Sequence, residues 1–252
     1  MKQFSILISV LTLMLFSNLN AQNDTLYLWK GNVLDFKQSV RTFDVDSITF
    51  TRPQEYSKDV IIGNQVWTYR NLDVTTYSDG TPIPQVTDPT EWANLKTGAW
   101  CYYSNDPAQN KLFGKLYNWY AVVGIHDNDL STSNKSLAPN GWRIPSDDDW
   151  TVLTNALGSV QVAGGFMKEA GELNWKSTNV KATNSSGFTG LPGGYRDYKG
   201  NFSGKGLGGN WWSSSADNAT LAWFRGLINY AQYVNRTSIS KETGCSVRCV
   251  KN

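Results

Sequence analysis

The chain has 252 residues, enough for one large domain or one domain with a small appendage, and 40% of them are hydrophobic against 17% charged. Aromatic residues reach 13%, with 11 Trp among them, which excludes a disordered chain and allows a sizeable core. A formal charge of +2, with Lys and Arg scattered, leaves no electrostatic footprint for nucleic acid or an acidic membrane surface.

Residues 1–21 read as a signal peptide. Lys2 supplies the positive start, Ile6 to Phe16 the apolar stretch, and Leu19-Asn20-Ala21 a small residue ahead of Gln22 for cleavage. The apolar run is shorter than a bilayer span, no Cys follows it to carry a lipid, and no second long apolar segment occurs. The expectation is an exported protein, periplasmic, cell-surface or extracellular, with no transmembrane segment once the signal is removed. Residues 22–52 form a short strand-rich N-terminal segment: Leu26–Trp29 and Val33–Phe36 flank the turn signal Lys30-Gly31-Asn32, and Val45–Phe50 ends in strand-like alternation. Residues 53–58 read as a linker and 59–252 as the main domain.

In the main domain, Val60–Ile62 and Gln65–Trp67 flank Gly63-Asn64, a hairpin signal. Leu112, Leu116, Trp119, Tyr120 and Val123 share one face if 112–123 is a helix. A better marked helix begins after Pro145: Ser146 is a good N-cap, Asp147 to Asp149 fill the first turn, Ser146 with Asp149 resembles a capping box, and Trp150, Leu153, Ala156 and Leu157 recur at helical spacing. From about 160 onward short strands alternate with long loops, and the last strand is Ser246–Val250. Gly204–Gly209 lacks the Walker pattern and reads as a loop letting the backbone pass close to Trp211-Trp212. The class is α+β, with short twisted sheets, one or two helices and long loops.

Export permits disulfides, and there are three cysteines, Cys101, Cys245 and Cys249, so at least one is left over. Cys245 and Cys249 lie on one predicted strand, roughly 13 Å apart, beyond the ~7 Å that a bridge allows. Cys101 with Cys249 is the candidate pair, and three reduced thiols the alternative. The set is too sparse for a zinc site.

A metal or acid–base enzyme needs a cluster of ligands or matched titratable groups. The single His, His126, sits in a turn-like loop, and a surface role is the plainer reading. Beside it Asp127 and Asp129 are the only calcium candidates; their spacing is not that of an EF-hand, and a solvated turn explains them as well. The Asp147–Asp149 triplet reads as a helix-dipole feature. No catalytic set and no cofactor are expected. The remaining chemical resource is aromatic. Tyr195, Tyr198, Trp211, Trp223, Tyr230 and Tyr233, with Arg196, are candidate ligand-binding residues, since such rings stack on sugars and their polar edges hydrogen-bond hydroxyls. Among them Trp211 and its neighbour Trp212 face opposite sides of a strand, so at least one should be buried, and Tyr198, Tyr230 and Tyr233 are the better candidates for exposure.

Residues 59–252 resemble the Fibrobacter succinogenes major paralogous domain family. The blocks are Ile62-Gly63-Asn64-Gln65-Val66-Trp67 with Asn71-Leu72, Asp79-Gly80-Thr81-Pro82-Ile83-Pro84, Gly114-Lys115-Leu116-Tyr117-Asn118-Trp119 and, most specific, Gly141-Trp142-Arg143-Ile144-Pro145-Ser146-Asp147 with Trp150 and Leu153. Gly187-Phe188-Thr189, Leu191–Arg196, Trp211–Ser214 and Ser246–Cys249 follow in order. The resemblance covers about three quarters of the chain. It implies a C-type-lectin-like fold in the variant shared with formylglycine-generating enzymes, in which the loop-rich later part of the chain supplies a binding face. Many members carry Cys where Ala138 stands here, so no disulfide carries over from the family. The metal-binding Cys pair of formylglycine-generating enzymes has no counterpart, since Cys249 matches the terminal structural strand and Cys245 lies on the same strand. The calcium motifs of sugar-binding animal lectins are absent as well. Residues 22–52 look like a short leader of secreted proteins from Bacteroidetes-type bacteria. The resulting expectation is a secreted or cell-surface, non-catalytic binding module for polysaccharide or a surface protein, as in carbohydrate binding or adhesion. The alternative is a structural or assembly component of the bacterial cell envelope that binds no glycan.

Overall fold

A computed structural model describes the backbone of residues 25–30 and 33–39, and residues 59–129 and 131–252. The chain divides into two compact units, Met1–Gln54 and Glu55–Asn252. In the first, strands β1 (Thr25–Lys30) and β2 (Val33–Ser39) pair antiparallel, with Lys30 opposite Val33, and the turn signal at Gly31-Asn32 lies outside the described residues. Their register shifts between Leu28↔Phe36 and Trp29↔Leu34, so Asp35 is the extra residue of a bulge. The signal peptide, the strand expected at Val45–Phe50 and the linker at 53–58 lie outside the described residues.

The second unit runs β3 (Val60–Ile62), β4 (Gln65–Trp67), α1 (Pro89–Ala93), β5 (Trp100–Cys101), α2 (Asn110–Phe113), β6 (Leu116–Tyr117), α3 (Trp119–Val122), β7 (Trp142–Arg143), α4 (Asp147–Ala156), α5 (Ala163–Met167), β8 (Gly193–Arg196), β9 (Phe202–Lys205), β10 (Gly208–Ala216), β11 (Leu221–Ile228), β12 (Asn235–Ser240) and β13 (Val250–Lys251). These form a five-stranded sheet ordered β12-β11-β10-β8-β9, a four-stranded sheet β3-β4-β13-β7 and a pair β5-β6. The unit is α+β, mostly sheet.

β10 lies in the middle of the large sheet, with an apolar cluster on each side. Trp212 joins Tyr117, Trp119, Phe224 and Val247; Trp211 joins Trp67, Trp150, Phe188 and Leu227. Alternation along a strand therefore buries both neighbours rather than one. Each indole N–H is also satisfied, Trp211 by Asn71 Oδ1 at 2.8 Å and Trp212 by the Tyr117 carbonyl at 2.9 Å. The loop expected over Gly204–Gly209 narrows to a turn at Gly206-Leu207 between β9 and β10, but backbone does pass close to Trp211, as expected: a Cβ on Gly209 would lie 2.4 Å from its ring.

α4 forms as its sequence dictates. The Ser146 side chain accepts from the Asp149 N–H while the Asp149 carboxylate accepts from the Ser146 N–H, a complete capping box, and Trp150 and Leu153 point into the core. The single helix expected over 112–123 does not form. Gly114, at φ 72°, ends α2, and a Cβ there would meet the Leu72 carbonyl at 2.8 Å. β6 follows, and Asn118 then starts α3 by accepting from the Ala121 N–H. Leu116 and Trp119, which helical spacing would place on one face, lie in different clusters.

The C-terminal segment is not the strand Ser246–Val250 predicted from alternation. Instead it passes from one partner to the next: Gly244 bridges Arg196, Cys245 bridges Tyr117 and Ser246 bridges Trp211, before Val250 pairs with both Trp67 and Arg143. Between these contacts the Leu72 N–H donates to the Val247 carbonyl and the Thr68 N–H to the Cys249 carbonyl. This one segment thereby joins all three sheets of the unit.

Long loops leave many main-chain carbonyls without a ladder partner, and a buried carbonyl needs a donor. Buried cationic side chains supply it. Arg248 donates to the carbonyls of Thr68, Phe188 and Thr189 and to Asn71 Oδ1. Arg196 donates to those of Gly200, Val86 and Thr87, with its guanidinium 4.4 Å from the Trp92 ring centre. Lys241 donates to the Ala219 carbonyl over the Trp119 ring. Hydrogen bonds from charged donors are worth about 1.5–3 kcal/mol each, so these side chains fix loops that few apolar contacts could.

Candidate binding surface

The structure separates the seven aromatic and basic candidates into buried and exposed. Arg196 and Trp211 are fully buried and their donors are committed, so neither can meet a ligand, contrary to expectation. The reason is the same for both: a polar atom that looks ligand-facing in sequence is spent on an internal acceptor. Tyr195 is half-buried and packs against the core cluster around Tyr117 and Trp212. Trp223 is half-buried beneath Arg236, whose guanidinium lies 4.0 Å from its ring centre. Tyr198, Tyr230 and Tyr233 are exposed, at 51%, 68% and 38%.

The three tyrosines do not form one patch. β8 runs parallel to β10, with Gly194 opposite Gly209, whereas β11 runs antiparallel to β10, with Leu227 opposite Gly209. Continuing β8 to Tyr198 and β11 to Tyr230 thus leads to opposite ends of the sheet, on the order of 20 Å apart at ~3.3 Å per residue. At its end Tyr198 sits on a turn closed by Asp197, which accepts from the N–H groups of Lys199 and Asn201, with the Lys199 ammonium 5.4 Å from the Tyr198 ring centre.

The other end is more elaborate. Loop 229–234 carries Tyr230 and Tyr233, the β9–β10 turn carries Leu207 (45% exposed), and the loop leading from Gly171 to Lys181 carries Leu173 (88% exposed). The loops are tied to each other through the backbone. The Asn229 N–H donates to the Leu207 carbonyl, the Val180 N–H to the Asn229 carbonyl, the Lys176 N–H to the Gly206 carbonyl and the Gly165 N–H to the Gln232 carbonyl. Gly164 allows this approach, since a Cβ there would lie 2.6 Å from the Tyr233 carbonyl oxygen. Behind Tyr230 lies Lys168, fully buried, whose Nζ contacts the carbonyls of Ala231 at 2.8 Å, Val180 at 2.9 Å, Ile228 at 3.1 Å and Asn229 at 3.5 Å. The Trp175 ring centre is 5.6 Å from Nζ. Burial presses the Lys168 pKa down to about 8, while the carbonyls and ring favour the charged form. Sequence reasoning missed this residue; its one signal is a lysine directly after the apolar run Ala163–Met167.

The candidate disulfide is not formed. All three cysteines are buried and unbridged, with Cys101 in the cluster around Trp92 and Cys249 in the one around Tyr117. Burial pushes the thiols of Cys101 and Cys249 up to about 12 and that of Cys245 further, so none is a thiolate near neutral pH. His126 lies beside Asp127 at 3.1 Å, and Asp129 accepts from Ser131. Among the described residues no group of three or more His, Cys, Asp or Glu is arranged to hold a metal, and Asp127 and Asp129 act as turn formers. The Asp147–Asp149 triplet does more than complement the helix dipole. Asp147 receives both Arg225 at 2.6 Å and Arg236 at 2.7 Å, and Asp149 is paired by Arg143, which ties α4 to β11, β12 and β7.

Residues 60–251 match the Fibrobacter succinogenes major domain. The chain belongs to that family. No curated protein and no solved structure is detectably similar to it. Placed on the structure, the blocks shared with the Fibrobacter succinogenes major domain are scaffold. Asn71 accepts from both Trp211 and Arg248, Asn118 caps α3, Ser146 caps α4, Phe188 packs among Trp67, Trp150 and Trp211, and Arg248 anchors the last segment. Tyr198, Tyr230, Tyr233, Leu173 and Leu207 all fall outside those blocks. All five nonetheless lie within residues 60–251, the span that matches the family.

Proposed function

We propose that this domain is a non-catalytic binding module, exported to the cell surface or beyond, whose binding face for polysaccharide is the Tyr230–Tyr233 end of the large sheet. The observation that carries the reading is that two exposed tyrosines and two exposed leucines sit on loops fixed from behind by Lys168 and by backbone hydrogen bonds. Exposed apolar side chains on rigid loops lose little entropy on binding. Ser177, Thr178 and Gln232 are exposed on these loops and can hydrogen-bond hydroxyls, alongside the charged Glu172, Lys176 and Lys181. The buried, protonated thiols support a non-catalytic role. The finer fold reading, C-type-lectin-like, belongs to the same proposal. It is supported by α4 following the Gly-Trp block and by a terminal strand seated between β4 and β7.

The test is a glycan array with insoluble-polysaccharide pull-down, comparing the protein with a Tyr230→Ala/Tyr233→Ala variant and with Tyr198→Ala. Contact aromatics at the centre of an interface are worth about 2 kcal/mol or more each, so the double variant should lose binding on the order of a thousandfold while Tyr198→Ala retains it. Loss through Tyr198→Ala alone would place the face at the other end of the sheet. Absence of glycan binding by the folded wild-type protein would refute the polysaccharide reading in favour of a surface-protein partner or an envelope-assembly role.

A further inference from the structure

The carbonyls of Ile228, Asn229 and Ala231 turn inward to one point, and that of Val180 joins them from the facing loop. Oxygens gathered in this way repel one another, and burial denies them water. An ammonium has three hydrogens to donate. The contacts at 2.8, 2.9 and 3.1 Å use them, and the fourth oxygen, at 3.5 Å, is held by the charge while also accepting the Val180 N–H at 2.7 Å. The Trp175 face lies on Nζ as well. Among the described residues no carboxylate pairs with this ammonium, so the only groups answering its charge are carbonyl dipoles and a ring. Carbonyl oxygens around a desolvated unit charge are the donor set by which proteins hold potassium.

From this geometry we infer that Lys168 is a built-in cation for the tyrosine loop: its ammonium fills a carbonyl cage that takes potassium or ammonium once the side chain is shortened, and the loop conformation displaying Tyr230 requires a positive charge at that point. The consequence for ligand binding rests on the proposed role of the Tyr230–Tyr233 end; the cage itself does not. Order in the loops is therefore set from within the chain, and chelating divalent ions should leave it unchanged.

The experiment is amide hydrogen exchange over residues 176–180 and 229–234 in the full chain, without ligand. Wild type, Lys168→Ala and Lys168→Met are compared in choline, potassium and ammonium chloride at equal ionic strength. Losing hydrogen bonds from a charged donor should speed exchange in both variants by roughly a hundredfold in choline. Potassium or ammonium should restore protection to Lys168→Ala but not to Lys168→Met, whose thioether occupies the cage. If Lys168→Ala does not fold in choline, recovery of folding on titrating ammonium or potassium, read by tryptophan fluorescence, is the equivalent result. Wild-type protection in Lys168→Met, or identical behaviour of Lys168→Ala in all three salts, would overturn the inference. Because no glycan enters the exchange measurement, its outcome is independent of the polysaccharide test.

Discussion

Replacing Arg248 by Met tests whether buried cations hold this domain together. The guanidinium is 1% exposed and donates to Asn71 Oδ1 at 2.7 Å and to the carbonyls of Thr68 at 2.7 Å, Phe188 at 3.0 Å and Thr189 at 3.3 Å, with Phe188 beneath it at 4.5 Å. Two opposing effects must be weighed. Burying a charge is costly, and exchanging a buried ion pair for apolar residues is often neutral or stabilising. That result, however, comes from removing both partners. Here three of the four acceptors are main chain and stay in place when the side chain goes. Each buried acceptor left unsatisfied costs about 1–3 kcal/mol. Even with half of that recovered by relieving the buried charge, a net loss of roughly 3 kcal/mol remains, a large share of the 5–15 kcal/mol typical of a domain. In urea, with slopes of about 1–3 kcal/mol/M, the midpoint should fall by at least ~1 M. Tryptophan fluorescence will report it, since Trp67, Trp150 and Trp211 lie in the cluster beside Arg248. Arg248→Lys keeps the charge but lacks the planar fork and should fall between the two. An Arg248→Met midpoint within ~0.3 M of wild type, at those slopes, would refute the claim that these cations stabilise by satisfying main-chain carbonyls.

Two further outcomes follow from the charged groups and the thiols. Burial raises the pKa of Asp147, but the hydrogen bonds of Arg236 and Arg225 outweigh that, and its folded pKa lies below the ordinary carboxylate value. The unfolded chain consequently binds a proton first as pH falls: the pairing contributes in full above about pH 5 and is lost progressively below about pH 4. Urea midpoints from pH 6 to 2.5 should show this decline, and Asp147→Asn should be less stable at neutral pH with a shallower acid slope; parallel slopes would count against it. As for the thiols, all three cysteines are buried and protonated near neutral pH. A thiol reagent should therefore label none of them in the folded protein and three after unfolding without reductant, whereas a count of one after unfolding would reveal a bridge.

Features governed by local chemistry were legible in the sequence. Ser146, Asp149 and the spacing of Trp150 and Leu153 specify α4 within one turn of chain, and Gly63-Asn64 specifies the β3–β4 hairpin. What was not legible depends on partners far away in sequence. Leu116 and Trp119 have helical spacing, but Gly114 at φ 72° and the Asn118 cap divide the segment, and the two side chains enter different clusters. The run Gly244–Val250 alternates like a strand, yet its ladder partners come from five places: Arg196, Tyr117, Trp211, Trp67 and Arg143. At the candidate site, Tyr198, Tyr230 and Tyr233 were identifiable as candidates for exposure, but which of them share a surface depends on the parallel β8–β10 pairing, which no local pattern encodes.

A basic side chain reads the same in sequence whether it awaits a ligand or satisfies its own backbone. Arg196 and Lys168 show how the structure resolves that ambiguity. Arg196 draws the carbonyls of Val86, Thr87 and Gly200 together and thereby fixes the turn that bears Tyr198. Lys168 does the same for the loop bearing Tyr230. In both places the cation lies beneath the surface and the tyrosine upon it, so the charge contributes order under an exposed ring. A framework stabilised this way frees the outward side chains from any packing duty. Replacing Tyr198 or Tyr230 should therefore leave the fold intact. The carbonyls behind both exposed tyrosines are already paired within the chain.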